Sequence, residues 1–217
     1  MPIRKNWSRE ELIVVFNLYC KLPFGQYHKK NNKVIELAHM LGRSPSAVAL
    51  KLCNFARLDP THQNRGIKGM THGGKLEEKV WDEFSQNWDD LSYWSETILY
   101  QLKGTRKIDS PLFEKEMPEG KEKEAIVKVR INQNFFREMI LASYRNRCAV
   151  CSLPETNLLV ASHIIPWSIN ALLRMDPRNG ICMCTLHDKA FDKDLIAISD
   201  DYSLLLSGRI QRLAHDP

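Results

Sequence analysis

One stretch of 45 residues, from Cys148 to Asp192, constrains this chain more than any other part. It contains four of the six cysteines and two of the seven histidines, in the segments CAVC, ASHIIPW and NGICMCTLHDKAFD. Packing of a hydrophobic core does not require thiols and imidazoles grouped in this way, whereas a metal site or a proton-transfer site does. We therefore expect the chemistry of the protein to lie in this stretch.

The composition of the chain is typical of a globular protein with one large or two small domains. Its 217 residues are 43% hydrophobic and 26% charged, and the formal net charge of +5 is compatible with a polyanionic partner. The N-terminus MPIRKNW lacks the apolar core of a signal peptide, and no run approaches the roughly 18 apolar residues of a transmembrane helix. We therefore expect no membrane partner and a cytoplasmic protein, in which clustered cysteines are more readily metal ligands than disulfides.

The N-terminal part has the capping signals of consecutive helices. Ser8 and Glu11 have the spacing of a capping box, which predicts a helix start. Gly42 predicts the end of a second helix, and Ser44 followed by Pro45 predicts the start of a third. Two helices joined by such a tight turn are typical of a helix-turn-helix.

The predicted third helix carries a polar stripe of Lys51, Asn54 and Arg57. Such side chains can contact phosphates and base edges, so we expect this stripe to be a candidate DNA-binding surface. The alternative is a solvated face, since helix-turn-helix geometry also occurs as plain scaffold. A long amphipathic helix follows, and its acidic face, which includes Glu77 and Glu78, is predicted to face solvent.

Residues 103–124 combine dense charge with proline and glycine, which is typical of a linker. This linker predicts a helical domain at residues 1–102 and a second domain at residues 125–217. At the start of the second domain, the alternation from Ile126 to Ile131 predicts a short strand, and the spacing over residues 134–144 predicts a helix.

The chemistry-bearing stretch has its own order of elements. A strand-like segment ends on His163, a proline-containing excursion follows, and Asn179-Gly180 begins a second strand that leads into a helix at His187-Asp188. This order, with SHIIPW and NGxCxxxLHDKAFD, resembles the HNH (ββα-metal) nuclease finger, in particular HNH endonucleases of the bacterial restriction type. The resemblance covers about residues 136–206.

The resemblance implies a fold class and a function. The fold would be α+β, with a helical N-terminal domain that contains a helix-turn-helix-like pair and a C-terminal ββα-metal domain. The protein would be a metal-dependent endonuclease that cuts double-stranded DNA, leaves 5′-phosphate ends and serves restriction or phage defence. Cutting both strands with one site per chain favours a homodimer.

The resemblance also implies roles for individual residues. His163 would be the general base that deprotonates water, and a histidine is suited to this because it titrates near neutral pH. Asn179 would hold the loop between the strands and orient His163, or else contribute to the metal shell. The third motif residue is a metal ligand, with His187 the first choice and Asp188 the second. Asp192 is a reserve ligand.

The sequence departs from a common family pattern in one place. Ser162 stands where many HNH proteins carry a metal-binding Asp or His immediately before the catalytic histidine. The identity of the divalent metal depends on the ligands, because Mg²⁺ and Mn²⁺ prefer oxygen whereas Zn²⁺ and Ni²⁺ suit imidazole.

The cysteines allow a second, structural zinc site. Cys148, Cys151, Cys184 and His187 would provide three sulfurs and one nitrogen, a closed tetrahedral set. This site competes with the catalytic one, because His187 cannot serve both metals. If zinc takes His187, Asp188 becomes the catalytic ligand; alternatively, Cys182 completes the zinc set and His187 remains available.

A basic rim surrounds the motif and could neutralise phosphates, although a solvated surface also explains each residue. Its members are Arg145, Arg147, Arg174, Arg178 and Lys189. Two other functions fit the sequence: a non-catalytic, zinc-stapled DNA-binding protein, and an anti-phage effector nuclease controlled by a partner.

Overall fold

The computed structural model describes residues 6–66, 73–103 and 121–213, and for residues 121–126 it describes the backbone alone. The chain divides into two compact units, residues 1–139 and 140–217. The first unit is helical, and the second contains two small sheets with short helices. The predicted α+β class, with helices first and the sheets in the C-terminal part, is therefore confirmed.

The first unit is built around one buried helix. Helix α1 (Arg9–Cys20) is buried from Glu11 to Tyr19, because its side chains are largely apolar on all sides. Its start has the predicted capping box: the Ser8 hydroxyl accepts a hydrogen bond from the Glu11 amide, and the Glu11 carboxylate accepts one from the Ser8 amide. Within the core, the Phe16 ring stacks on Phe55 with centroids 4.7 Å apart.

The predicted helix pair is also confirmed. Helix α2 (Asn32–Leu41) ends at Gly42, whose φ of 62° is the left-handed conformation that glycine adopts most readily. Helix α3 (Pro45–Leu58) begins after Ser44, whose hydroxyl accepts a hydrogen bond from the Ala47 amide. The turn residues therefore set the limits of both helices.

Among the described residues, four further α-helices lie between α3 and the sheets. They are α4 (Pro60–Asn64), α5 (Lys75–Phe84), α6 (Trp88–Leu102) and α7 (Lys121–Ser143). The single long amphipathic helix predicted after residue 75 is thus two helices, because the chain turns between Ser85 and Asn87.

The strand predicted from Ile126 to Ile131 is wrong, because these residues lie inside helix α7. Val129 is 45% exposed, so the alternation of this segment does not reflect a buried sheet face. The predicted domain boundary after residue 124 also falls within α7, whereas the division between the two units comes between residues 139 and 140. Of the predicted linker, residues 104–120 lie outside the described residues.

The polar stripe of α3 packs against α5. The Lys51 ammonium forms an ion pair with the Glu77 carboxylate, and the Asn54 amide donates a hydrogen bond of 2.8 Å to the same carboxylate. Arg57 forms an ion pair with Glu78 at 2.8 Å. Glu77 is only 1% exposed, which corrects the prediction that it faces solvent. The stripe that was expected to contact DNA is thus occupied by contacts within the protein.

The second unit contains a ββα arrangement. Strands β1 (Leu159–His163) and β2 (Gly180–Cys184) are antiparallel, with His163 opposite Gly180 and Leu159 opposite Cys184. Helix α8 (Thr185–Asp192) follows β2 directly. A second hairpin, β3 (Ile196–Ile198) and β4 (Leu204–Leu206), and helix α9 (Gly208–Leu213) complete the unit. Within the described part of the chain, no helix has both the length and the apolar character needed to cross a bilayer.

Candidate metal centre and nuclease site

Four side chains that can bind a metal converge in the second unit. Cys148 and Cys151 lie in the turn after α7, Cys184 ends β2, and His187 lies in the first turn of α8. The three sulfur atoms and one imidazole nitrogen all lie within 4.8 Å of one another. Among the described residues, this is the one group of at least three His, Cys, Asp or Glu side chains close enough to share an ion.

The distances in this cluster fit a tetrahedral zinc site. The His187 Nδ1 lies 3.1 Å from the Cys184 sulfur and 3.6 Å from the Cys148 sulfur, and the sulfurs of Cys151 and Cys184 are 4.0 Å apart. A tetrahedral Zn²⁺ with Zn–S bonds of about 2.3 Å has sulfur–sulfur edges of about 3.8 Å. The donor set and its dimensions therefore suit a closed structural zinc site.

The turn that carries the first two cysteines prepares them for metal binding. The Ala149 amide donates a hydrogen bond of 2.7 Å to the Cys182 carbonyl, which ties the turn to β2. Burial opposes ionisation of the Cys148 thiol, but hydrogen bonds from the backbone of Cys151, Cys184 and Val150 outweigh it and lower its pKa to about 6. These hydrogen bonds thus favour the thiolate form of Cys148, which is the form that binds a metal. Cys182 is fully buried and lies outside the cluster.

His163 lies at the end of β1 and is held by the loop that follows. Its Nε2 is 2.9 Å from the Arg174 carbonyl oxygen, and its ring meets the Trp167 ring edge-on at 5.4 Å. Because a carbonyl oxygen can only accept, Nε2 carries the proton of the neutral imidazole and Nδ1 carries the lone pair. This contact favours the tautomer that has its proton on Nε2.

Asn179 connects β2 to the loop between the strands. Its side chain is buried, and its amide donates to the carbonyls of Ile165 and Leu173 at 3.0 and 3.1 Å. The side-chain oxygen accepts a hydrogen bond of 2.7 Å from the Ile165 amide. These bonds fix the chain immediately after His163 and close to the carbonyl that holds it.

Asp188 contacts Ser162, the residue immediately before His163. The Ser162 hydroxyl donates a hydrogen bond to the Asp188 carboxylate, and Ser162 is buried. Asp192 lies one helical turn after Asp188 and is exposed. Thus His187 and Asp188 are adjacent in α8, but one contacts the cysteines and the other contacts β1.

The basic residues predicted around the motif have different environments. Arg145, Arg147 and Lys189 are exposed. Arg174 is half-buried over the Trp167 ring, and its Nε donates to the Trp167 carbonyl at 2.9 Å. Arg178 forms a two-pronged ion pair with Asp176, which lowers the pKa of that carboxyl. Arg174 and Arg178 therefore shape the loop that holds His163.

Three features of this site were not predicted from the sequence. The Arg174 carbonyl that fixes the His163 ring has no side-chain signal, and nothing in the residue pattern indicates it. The Ser162–Asp188 contact joins residues 26 positions apart. The ion pair between Asp176 and Arg178 has a local signal, because an aspartate before proline can cap the turn that follows.

Comparison with known proteins agrees with this geometry. Residues 148–199 match the family model described as HNH endonuclease, and this segment contains the four-residue cluster, both strands of the first hairpin and α8. Neither the curated proteins nor the solved structures that were compared include a match to the chain. The predicted resemblance to HNH endonucleases is therefore confirmed over residues 148–199, and the match does not extend to the bacterial restriction type.

Proposed function

We propose that this protein is a metal-dependent DNA endonuclease in which His163 is the general base. The observation that carries the proposal is the hydrogen bond between His163 Nε2 and the Arg174 carbonyl, inside the segment that matches HNH endonucleases. It leaves the lone pair on Nδ1, and a neutral imidazole can accept a proton from a water molecule that attacks a phosphodiester. Proton transfer of this kind typically contributes about 10²- to 10⁴-fold to a rate.

Asn179 would act as a positioning residue. Its three side-chain hydrogen bonds hold Ile165 and Leu173, which flank the catalytic histidine and the carbonyl that orients it. Its Oδ1, the atom through which an asparagine would bind a metal, accepts the hydrogen bond from the Ile165 amide, so we assign Asn179 to the loop rather than to a metal shell.

The structural metal and the catalytic metal would use different ligands, because His187 belongs to the cysteine cluster. Cys148, Cys151, Cys184 and His187 would hold a structural zinc, so Asp188 becomes the ligand of a catalytic Mg²⁺ or Mn²⁺, with Asp192 on the same side of α8 as a second candidate. A divalent ion bound there would stabilise the negative charge on the phosphate and on the leaving oxygen. The Ser162 hydroxyl would hold the Asp188 carboxylate in place.

A plasmid cleavage assay with added Mg²⁺, Mn²⁺ or Ni²⁺ tests the mechanism. We expect the wild-type protein to cut, and His163→Ala to lose about 10²- to 10⁴-fold in rate while its thermal unfolding and its zinc content stay unchanged. His39→Ala is the matched control, since His39 is an exposed histidine of α2. A folded His163→Ala variant that cuts as fast as the control would disprove the role of His163.

The same assay distinguishes the alternative functions. A wild-type protein that binds duplex DNA but cuts with none of the three metals would favour a zinc-stapled DNA-binding protein. Activity that appears only on addition of another protein would favour an effector controlled by a partner. Restriction or phage defence is the biological use that we propose, and a homodimer would allow cleavage of both strands.

A further inference from the structure

The first unit distributes its charges unevenly along the chain. Residues 12–76 contain ten lysines and arginines but only two carboxylates, Glu36 and Asp59. Residues 77–103, in contrast, contain seven carboxylates and two lysines. An excess of one sign over a long segment produces a field that attracts the opposite charge, unless partners within the fold neutralise it.

The ion pairs of the fold neutralise only part of this excess. Among the described residues, four of these cations are paired within the unit: Lys21 with Glu96 and Glu138, Arg43 with Glu11, Lys51 with Glu77, and Arg57 with Glu78. Asp59 accepts hydrogen bonds from Tyr19 and Thr61, so its carboxylate is already engaged. Carboxylates of α5 and α6, namely Glu77, Glu78 and Glu96, thus form ion pairs with three of these cations.

Three other lysines form no ion pair within the described part of the chain. They are Lys29, Lys30 and Lys33, and all three are exposed. Glu36, one turn further along α2, is exposed as well and is not paired with Lys33. These lysines lie in the loop between α1 and α2 and in the first turn of α2.

The loop that carries them is ordered by its own hydrogen bonds. The Gln26, His28 and Asn31 amides donate to carbonyls two or three residues earlier, at 2.9–3.1 Å. The Tyr27 ring packs on Tyr19 at 5.2 Å, which attaches the loop to the core helix. Asn31 caps α2 through the Lys33 amide at 2.9 Å, so the lysines are held at the positive end of this helix.

Arg65 lies against the same loop. Its guanidinium is 5.5 Å from the centroid of the Phe24 ring, and Phe24 also packs on His62 of α4 at 4.6 Å. The end of α4 and the α1–α2 loop therefore form one exposed surface. We call Lys29, Lys30, Lys33 and Arg65 the basic loop patch.

We propose that the basic loop patch binds the phosphate backbone of a DNA duplex. This inference rests on the proposed nuclease function and replaces the α3 stripe as the DNA contact of the first unit. A duplex presents a negative charge about every 1.7 Å along its axis, and lysines that neutralise phosphates release condensed counterions. Lysine and arginine contacts to phosphates position a protein without reading bases, so the patch would hold substrate independently of sequence.

The salt dependence of DNA affinity tests this proposal. The binding of a fluorescent duplex would be measured by anisotropy at several salt concentrations, in the His163→Ala background so that the duplex stays intact. We expect Lys29→Ala/Lys30→Ala/Lys33→Ala to lower the slope of log affinity against log salt by about 2 to 3, and to weaken binding about ten- to hundred-fold at low salt. The triple Lys→Arg variant should bind like the parent.

A charge-matched control separates local contacts from net charge. Lys79→Ala/Lys103→Ala/Lys128→Ala removes three exposed lysines of α5, the end of α6 and α7 from the same unit. It should change the slope little, since these lysines lie among the carboxylates of the acidic segment or outside the patch. Equal slopes for the two triple variants would overturn the proposal, and so would binding of anionic phospholipid vesicles in place of DNA through the three patch lysines.

The outcomes also separate this inference from the proposed function. If the wild-type protein neither binds nor cuts DNA, the nuclease assignment fails and the patch proposal fails with it. If the wild-type protein cuts DNA and the patch variant keeps the affinity of the control, only the patch proposal fails.

Discussion

Two buried polar side chains, Glu77 in the first unit and Asn179 in the second, have different kinds of partner. Glu77 is almost completely buried, and its carboxylate binds the side chains of Lys51 and Asn54. In the second unit the buried Asn179 contacts backbone groups of a loop, and the buried Cys148 and Cys184 converge with the exposed Cys151 and with His187 on a point where an ion fits. Burial of a polar residue alone therefore does not identify a functional site; its partners do.

This difference distinguishes residues that stabilise the fold from residues that take part in binding or catalysis. A carboxylate closed between a lysine and an asparagine has its hydrogen-bonding capacity used within the fold, so it contributes to helix packing. Asn179 instead holds the loop beside His163, and the cysteines and His187 form a tetrahedral donor set. These side chains are placed to bind or orient a metal ion or a substrate. The predictions below test this contrast.

The largest effect is expected from loss of the cysteine cluster. Cys184→Ala should remove bound zinc and abolish cooperative unfolding of the second unit, while the first unit keeps its stability. Structural zinc sites contribute apparent binding free energies of about 10–16 kcal/mol in zinc-finger peptides, and the described part of the second unit consists of two short hairpins, short helices and the end of α7. Metal analysis together with hydrogen exchange, reported for each unit, measures both effects.

Cys53→Ala is the control for this experiment. Cys53 is a half-buried free cysteine of the first unit and lies outside the cluster, so the variant should keep stoichiometric zinc. The zinc assignment is refuted if the purified wild-type protein contains no tightly bound metal and Cys184→Ala unfolds like the wild type.

A smaller but still large effect is expected at the buried ion pair of the first unit. Glu77→Ala leaves the Lys51 ammonium, only 15% exposed, and the Asn54 amide without their acceptor. Removing one partner of a buried ion pair typically costs about 3–5 kcal/mol. Urea denaturation of the full-length protein should show this loss in the transition of the first unit, with the zinc content unchanged.

The neighbouring Glu78→Ala is a matched control within the same turn of α5. Its carboxylate is 45% exposed where it pairs with Arg57, and exposed pairs contribute about 0–1 kcal/mol. Equal losses of stability for the two variants would contradict the distinction between a buried and a solvated pair.

The sequence predicted what is set by neighbouring residues. The capping box at Ser8, the glycine end of α2 and the serine cap of α3 depend on contacts within three or four residues, and the structure has all of them. The order of strand, loop, strand and helix in the second unit was also predictable, because each of its markers lies within its own element.

What the sequence could not predict depends on distant partners. Lys51, Asn54 and Arg57 have the composition of a DNA-binding stripe, and only the fold shows that Glu77 and Glu78 lie opposite them. The alternation from Ile126 to Ile131 matched a strand, but these residues continue the helix that packs Phe135 and Ile140 into buried positions. Intrinsic preference for a strand is weak, so the longer helical context prevails.

The smallest expected effect is a pH dependence of the first unit. Burial raises the pKa of Glu77, but hydrogen bonds from Lys51 and Asn54 outweigh it and hold the folded-state pKa below the usual value of a glutamate. A depressed pKa means that the ion pair stabilises the folded unit above the unfolded-state pKa of about 4.3, and that this stabilisation is lost as the pH falls through the folded-state pKa. One proton taken up on unfolding changes the free energy of unfolding by at most about 1.4 kcal/mol per pH unit.

Urea midpoints between pH 3 and 7 should therefore fall at acid pH in the wild type and less steeply in Glu77→Gln, whereas Glu78→Gln should follow the wild type. The buried pair would lose its assigned role if Glu77→Gln and the wild type had the same acid dependence.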